Sequence, residues 1–202
     1  MNNKASNIIK KTIELLVQSG VNKVSMDQIA SNGKTSKATI YKYFGDKDNF
    51  YLEIGKYIME EKVKEYESIA SESSSLVDKL KNYTEAVCQF TDSGYFTLCN
   101  QLMEYNTGVK NLYMEYKKES ESTITSIIRE GLDQSLFKAE LSEEMIFSYI
   151  DMGIEYYQSN DVYRFRMNND MKFQEKYMKF YISNIFTDQF WEAYWNAVYW
   201  IG

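Results

Sequence analysis

The chain contains no proline, and this absence constrains its fold more than any other feature of the sequence. A proline inside a helix removes a backbone hydrogen bond and clashes with the preceding turn, so a chain without proline can stay helical over long stretches. Glycine is sparse as well, at nine of 202 residues. Apolar residues recur at steps of three and four, as they do on one face of an α-helix. We therefore expect an all-α protein.

The first 25 residues predict one helix and the start of a second. Apolar residues from Ala5 to Val17 form one stripe at helical spacing, which predicts a first helix that ends at Gly20. Ser25 and Gln28 have the spacing of a capping box. This spacing predicts a short second helix that begins near residue 26.

A tight turn and two more helices follow. Asn32, Gly33 and Lys34 are suited to the left-handed backbone positions of a tight turn, and Ser36 is suited to cap a third helix. A fourth helix is predicted from Asp46 to about residue 66, before a serine-rich linker at residues 71–75. Further helices are predicted near residues 76–90, 95–105, 109–131, 143–158 and 170–187.

Charge is distributed unevenly between the two parts of the chain. The net charge is −6, which argues against a nucleic-acid partner for the chain as a whole. Residues 1–50, however, carry eight lysines and four acidic residues, whereas residues 51–202 carry fifteen basic and twenty-five acidic residues. A basic head therefore precedes an acidic body. We predict a DNA-binding domain over residues 1–50 and a helical ligand-binding and dimerisation domain over residues 51–202.

The sequence shows no feature of export or of membrane insertion. Its start is polar and then amphipathic, and no run of eighteen apolar residues follows. Cys88 and Cys99 are too few to staple a chain of this size. We expect a soluble, cytoplasmic protein with reduced cysteines and no membrane partner.

The functional signal lies in residues 25–50, which read SMDQIASNGKTSKATIYKYFGDKDNF. A helix that enters the major groove must bring short or hydrogen-bonding side chains to the base edges, while flanking groups hold the phosphates. The third helix has both kinds of side chain. Those suited to the bases are Ser36, Lys37, Ala38 and Thr39, and those suited to the phosphates are Tyr41, Lys42 and Tyr43.

This segment resembles the DNA-binding domain of the TetR family without a gap. The residues that carry the resemblance are Ile29, Ala30, Ser36, Lys37, Thr39, Tyr41, Phe44, Lys47 and Phe50. The resemblance implies that Thr39, Tyr41, Lys42 and Tyr43 contact operator DNA and that Lys47 meets a phosphate at the start of the fourth helix, where anions are favoured. The full set of candidate DNA-binding residues is Ser25, Ser36, Lys37, Ala38, Thr39, Tyr41, Lys42, Tyr43 and Lys47.

The chain departs from the family pattern at two places, in the turn and in the third helix. The family's turn reads Ala-Gly-Val, whereas this chain has Gly33-Lys34-Thr35, so its glycine stands one position early. Ala38 replaces a glycine that is frequent in the family, which favours the helix and brings a methyl group toward the bases.

The resemblance also implies a repressor that a small molecule releases from its operator. Family members bind their inducers between helices that correspond to residues 76–158, and apolar pockets of this kind are lined by aromatic and methionine side chains. We expect a flat or hydrophobic ligand. The candidate ligand-binding residues are Phe90, Phe96, Met103, Tyr113, Tyr149, Met152 and Tyr156. Without any histidine or a carboxylate cluster of suitable spacing, we expect neither a metal nor a cofactor.

By the same resemblance, the helices near 143–158 and 170–187 form the interface of a homodimer. The residues predicted to fill it are Tyr149, Met152, Tyr156, Met178, Tyr181, Ile182, Ile185 and Phe186. The segment from Phe190 to Ile201 holds all three tryptophans. It covers a partner, a groove or a membrane surface, or it is a non-native tail.

Two alternatives to a repressor stay open. The first is a helical ligand-binding protein or enzyme with an incidental helix-turn-helix. The sequence has no histidine, no glycine-rich phosphate loop and no nucleophile elbow, so we predict no catalytic residues and no enzyme. The second alternative is an activator or a ligand-free regulator, either of which would carry the same DNA-binding head.

Overall fold

The computed structural model describes residues 3–188 and residue 190. Its helices are α1 (Asn3–Ser19), α2 (Met26–Asn32), α3 (Lys37–Phe44), α4 (Lys47–Ser71), α5 (Leu76–Asp92), α6 (Tyr95–Tyr105), α7 (Thr107–Asp133), α8 (Glu143–Ser159), α9 (Asp161–Asn169) and α10 (Met171–Ser183), with a 3-10 turn at Val21–Lys23. The described residues contain no β-strand, and an isolated antiparallel bridge joins Phe137 to Phe186. The prediction of an all-α protein is confirmed.

The predicted capping box starts α2. The Ser25 hydroxyl accepts a hydrogen bond from the Gln28 backbone N–H at 3.3 Å, and the Gln28 side chain accepts one from the Ser25 backbone N–H at 2.8 Å. These two bonds satisfy backbone donors that a helix otherwise leaves without partners. They fix the first residue of α2 at Met26, as the sequence predicted.

The turn after α2 is a Schellman motif, and its left-handed residue is Lys34. The Lys34 backbone N–H donates to the Ser31 carbonyl at 3.1 Å, and the Thr35 N–H donates to the Ala30 carbonyl at 2.9 Å. Lys34 has φ 50°, whereas Gly33 has φ −74°. The glycine therefore does not supply the left-handed conformation, and the turn forms with a lysine at the position where the TetR pattern has glycine.

Three helices differ from the sequence prediction, and one of them, α10, ends at Ser183 rather than near residue 187. α4 continues to Ser71 rather than to about residue 66. α9 was not predicted at all, because its apolar residues do not form a buried stripe: Val162 is 75% exposed and Phe165 67%. Polar caps define it instead, since the Asn160 side chain accepts from the Tyr163 N–H at 2.8 Å.

The chain forms two compact units. The first unit comprises the residues up to Glu65 together with Gln89–Glu119. In its core Ile9 of α1, Ile29 of α2 and Ile40 of α3 have no exposed surface, and they share one apolar cluster with residues of α4, α6 and α7. The head thus packs into a unit that also contains α6. The predicted boundary at residue 50, between a DNA-binding domain and a ligand-binding and dimerisation domain, concerns function rather than packing. It stays a prediction.

The second unit comprises Tyr66–Cys88 and the residues from Ser120 onward. Its core is built on Ile127 and Ile128 of α7 and Ile146 of α8, which are at most 1% exposed. The ammonium of Lys79, largely buried, pairs with the Glu130 carboxylate at 2.7 Å, which offsets the cost of burying its charge. No helix in the described part of the chain combines the length and the apolar character needed to cross a membrane.

The positive φ of Lys34 predicts that glycine at this position stabilises the protein. A side chain with a Cβ is strained at positive φ, and glycine is not. Lys34→Gly is therefore expected to stabilise the protein by about 0.5–1 kcal/mol, measured by urea unfolding. Lys34→Ala is the matched control, because it removes the same charge and keeps the Cβ. Equal stability of the two variants would contradict this account of the turn.

Candidate nucleic-acid interface and internal cavity

α3 is held in place by its cap and by one buried residue. The Ser36 hydroxyl accepts from the Thr39 backbone N–H at 3.1 Å, which starts the helix after the turn. Ile40 is fully buried in the first core. A helix of eight residues is not stable in isolation, so this packing fixes both its existence and its orientation.

Most of the predicted DNA-binding residues lie on the exposed surface of α3, while Ile40 is turned into the core. Tyr41 is 37% exposed and Tyr43 38%. Ser36, Lys37, Ala38 and Lys42 are also exposed, and Thr39 is half-buried. Phe44 instead packs on Phe50 with ring centroids 4.7 Å apart, as expected of a core residue. The structure thus brings the candidates of α3 together on one surface, and their contact with DNA stays a prediction.

The two serines of the predicted set already have structural roles. The hydroxyl of Ser25 caps α2, and the hydroxyl of Ser36 caps α3 and lies 2.9 Å from the Thr39 hydroxyl. Their positions at the starts of the two helices follow from these caps. Both residues are exposed, so the caps do not hide them from a ligand.

Lys37 is paired within the protein. Its ammonium lies 2.8 Å from the Asp27 carboxylate of α2, and both side chains are substantially exposed. The hydrogen bond to Asp27, with the charge of the same carboxylate, raises the pKa of Lys37. The sequence predicted that Lys37 is suited to contact the bases. In this structure Asp27 accepts from it, so a base must compete with that carboxylate.

Lys47 lies in the first turn of α4. The Asp46 carboxylate, one residue earlier, accepts from the Asn49 backbone N–H at 2.7 Å and so caps this helix. Its negative charge offsets the attraction of the helix N-terminus for a phosphate. Any phosphate contact here therefore depends on the ammonium of Lys47, which lies over the ring of Tyr51 at 5.3 Å from the centroid and over that of Tyr105 at 4.9 Å.

The second unit contains a partly open cavity of about 340 Å³. Helices α5, α7, α8, α9 and α10 line it, and the lining is mainly apolar and aromatic. Among the lining residues are Leu80, Tyr83, Val87, Cys88, Ile124, Ile150, Gly153, Ile154, Tyr157, Tyr163, Met167, Tyr177, Met178, Tyr181 and Ile182. Among the described residues, no group of three or more acidic or cysteine side chains is arranged to hold a metal ion.

The seven residues predicted to bind the ligand do not line this cavity. Phe90, Phe96, Met103 and Tyr113 belong to the first unit. Met152 and Tyr156, at 60% and 48% exposure, lie on the other face of α8. Tyr149 is engaged with α10: its hydroxyl donates to the Tyr181 carbonyl at 3.1 Å, and their rings stack with centroids 4.6 Å apart. α8 has apolar residues on both faces, and Met152 and Tyr156 lie on the one that does not line the cavity. That the seven residues bind a ligand stays a prediction.

The residues predicted to form the dimer interface do not share one environment. Ile182, Ile185 and Phe186 are buried in the core of the second unit, so the prediction that they face a partner was wrong. Met178 and Tyr181 line the cavity. Met152 and Tyr156 of α8 remain exposed, and the exposed apolar surface of this unit also includes Met145, Val162, Phe165, Met171 and Phe180.

The aromatic segment at the end of the chain falls largely outside the described residues. Only Phe190 of that segment is described: it is buried and stacks on Phe186 with ring centroids 3.7 Å apart. The alternatives for residues 191–201 lie outside the described part of the chain.

The fold and this surface define a class of protein. Two short helices joined by a tight turn, with a buried Ile40 and an exposed polar face on the second, form a helix-turn-helix of the DNA-binding kind. Residues 8–54 match the sequence model of a family described as bacterial regulatory proteins, tetR family. No curated protein sequence matches the chain.

Solved structures show the same fold over most of the chain. A TetR transcription regulator from Haloarcula marismortui has a TM-score of 0.75 at 13% identity, covering 93% of this chain and 100% of that one. The fatty acid degradation regulator FadR from Bacillus halodurans has a TM-score of 0.66 at 20% identity, with coverages of 81% and 86%. The ketosteroid regulator KstR2 of Mycobacterium tuberculosis has a TM-score of 0.60 at 11% identity, with coverages of 93% and 97%.

Residues 8–54 thus match the DNA-binding head of the tetR family, and the chain has the fold of TetR regulators over most of its length. Both findings agree with the resemblance of the segment from Ser25 to Phe50, and the all-α fold class is confirmed.

The Lys37–Asp27 pair predicts that an acidic residue weakens DNA binding. Asp27→Asn removes a negative charge beside α3 and leaves Lys37 available to a base or phosphate. We expect affinity for DNA to rise a few-fold, measured by fluorescence anisotropy with a labelled duplex of the upstream region of the gene. The control is Glu53→Gln, which neutralises one carboxylate on α4. Unchanged or weaker binding by Asp27→Asn would show that Lys37 does not face the DNA.

Proposed function

We propose that the protein is a ligand-released repressor that binds operator DNA as a homodimer. The observation that carries the proposal is the exposed face of α3, whose side chains suit bases and phosphates and whose flank carries Lys47. α3 is the recognition helix in this proposal. Tyr41, Lys42 and Tyr43 hold the DNA backbone, and Lys37, Ala38 and Thr39 approach the bases.

The charge of the head supports DNA binding over the enzyme alternative. Residues 1–50 have twice as many lysines as acidic residues, while the rest of the chain is strongly acidic. A positive field of this kind steers a protein toward a polyanion, and a helical enzyme has no need of it. TetR-family regulators are DNA-binding proteins and are generally not enzymes.

A homodimer explains the exposed apolar residues of the second unit. Met152 and Tyr156 on α8, with Phe180 on α10, are 48–66% exposed in the single chain. Large apolar side chains grouped on two neighbouring helices mark an interface. A second copy would cover them and would place two recognition helices on one duplex, about 34 Å apart, to match two half-sites.

The cavity of the second unit is the proposed ligand site. Its volume and its apolar lining suit a small hydrophobic or aromatic molecule. Two proteins of similar fold are a fatty acid degradation regulator and a ketosteroid transcriptional regulator. We infer that the ligand of this chain is also predominantly apolar. Its binding would change the spacing of the two heads and release the operator.

Lys47 tests the DNA-binding part of the proposal. Lys47→Ala is expected to weaken binding to the upstream duplex and to lower the slope of log Kd against log salt by about one per lost phosphate contact. The measurement is anisotropy titration from low to moderate salt, with the stoichiometry expected at two chains per site. Lys64→Ala on α4, whose lysine is exposed and paired with Glu61, should leave both quantities unchanged. A salt-independent or absent shift with the wild-type protein would defeat the proposal.

Cys88 tests the ligand-binding part, because its thiol lines the cavity. Cys99 is a built-in control: burial raises the pKa of its thiol to about 12, so it stays unreactive at pH 8. We expect iodoacetamide to label Cys88 alone, and the flat apolar dye N-phenyl-1-naphthylamine to bind and to slow that labelling. The read-out is mass spectrometry of the intact protein, with Cys88→Ser as the unlabelled reference. Equal labelling with and without saturating dye would place the dye elsewhere.

A further inference from the structure

The contacts of Lys47 within the first unit include a residue far away in the sequence. Tyr105 is the last residue of α6, and its ring packs edge-on against that of Tyr51 with centroids 5.0 Å apart and an angle of 76° between the planes. The ammonium of Lys47 lies over both rings, closer to Tyr105. The negative face of an aromatic ring attracts a cation at these distances. The rings of Tyr51 and Tyr105 therefore both attract the Lys47 ammonium.

The segment that follows Tyr105 is fastened to the same turn of α4. The Asn106 side-chain amide donates to the Asp48 carbonyl at 3.0 Å, and the Asn106 side-chain oxygen accepts from the Gly108 backbone N–H at 2.8 Å. A Cβ at Gly108 would lie only 3.4 Å from Leu52, which shows how closely this corner lies against α4. The position of the Tyr105 ring is thus set by the start of α4 itself.

Tyr51 supplies a fixed support beneath Lys47. It is fully buried, and its hydroxyl has no hydrogen-bond partner, so packing alone holds the ring. Burial raises the pKa of Tyr51 to about 12, so the ring stays neutral at physiological pH. Tyr105 differs, since it is 39% exposed. Of the two rings, only Tyr105 can be changed without opening the core.

We propose that Tyr105 is a positioning residue for DNA binding, which holds the Lys47 ammonium at the start of α4 for a backbone phosphate. A lysine side chain has much rotational freedom, and ordering it on a phosphate opposes binding. The rings of Tyr51 and Tyr105 restrict the Lys47 side chain before DNA binds. Tyr105 itself contacts no DNA in this proposal, which rests on the proposed function through Lys47.

A double-mutant cycle tests this role. The proteins are wild type, Lys47→Ala, Tyr105→Leu and the double variant, each titrated against the upstream duplex at several salt concentrations. Tyr105→Leu keeps an apolar side chain and removes the ring. It is expected to weaken binding by roughly two- to fivefold, the scale of an exposed cation–π contact, and to have no effect once Lys47 is alanine.

Tyr105→Phe separates the ring from the hydroxyl. It keeps the aromatic face, so it should restore the affinity and the coupling that Tyr105→Leu loses. Thermal unfolding of each protein checks that the head is intact. Should the leucine variant not fold, Tyr105→Gln, which suits a half-exposed site, takes its place in the cycle.

The outcomes separate this inference from the proposed function. If Lys47→Ala binds as wild type, the phosphate contact fails and the positioning role fails with it. If Lys47→Ala weakens binding but Tyr105→Leu does not, or does so equally in both backgrounds, only the positioning role is overturned. A phenylalanine variant as weak as the leucine variant would also overturn it, because the hydroxyl rather than the ring would then be required.

Discussion

The burial of Ile40 is the contact on which the proposed DNA-binding surface depends. α3 has eight residues, too few to be stable in water alone, and Ile40 is its one fully buried side chain. Burying an isoleucine contributes roughly 1.5–3 kcal/mol, which is large beside the intrinsic stability of so short a helix. With 3.6 residues per turn, fixing Ile40 inward directs Ala38 and Lys42, on the opposite side of the helix, outward. The packing of Ile40 in the core therefore sets the orientation of the proposed recognition surface.

The helices and caps of the head could be predicted because their causes are local. Ser25 and Gln28 are three residues apart, and Ser36 immediately precedes the helix that it caps. The turn between them was predicted less well. Glycine tolerates positive φ, so Gly33 was the natural candidate, but the hydrogen bonds of the Schellman motif place Lys34 in the left-handed position. The number of residues between α2 and α3 therefore determines which residue takes the left-handed conformation. The preference of glycine for positive φ does not.

The cavity could not be predicted from the pattern of α8. One face of this helix carries Ile150, Ile154 and Tyr157, which line the cavity, and another carries Met152 and Tyr156, which are exposed. Both faces are apolar, so periodicity alone does not say which one turns inward. Tyr105 was missed for a different reason. It lies 58 residues from Lys47 in the sequence, and only tertiary structure brings the two side chains together.

Glycine at position 153 explains how α8 and α10 approach each other. A Cβ there would lie 2.3 Å from the Tyr181 hydroxyl, so only glycine leaves room for that group. The hydroxyl donates to the Tyr149 carbonyl at 2.7 Å, while the Tyr149 hydroxyl donates to the Tyr181 carbonyl. These reciprocal bonds join the two helices beside the cavity.

The tyrosines around the cavity make it less polar than their number suggests. The Tyr181 hydroxyl donates to Tyr149, and the Tyr157 hydroxyl donates to the Asn168 side chain at 3.0 Å. Burial raises the pKa of Tyr163 and of Tyr181, so both stay neutral. A ligand in the cavity therefore meets mainly ring faces and aliphatic groups rather than hydroxyls in need of partners. Lys81, Glu85, Asn168 and Gln174 also line the cavity. A polar group of a bound molecule would find partners beside these side chains, and elsewhere it would lose its bonds to water without replacement.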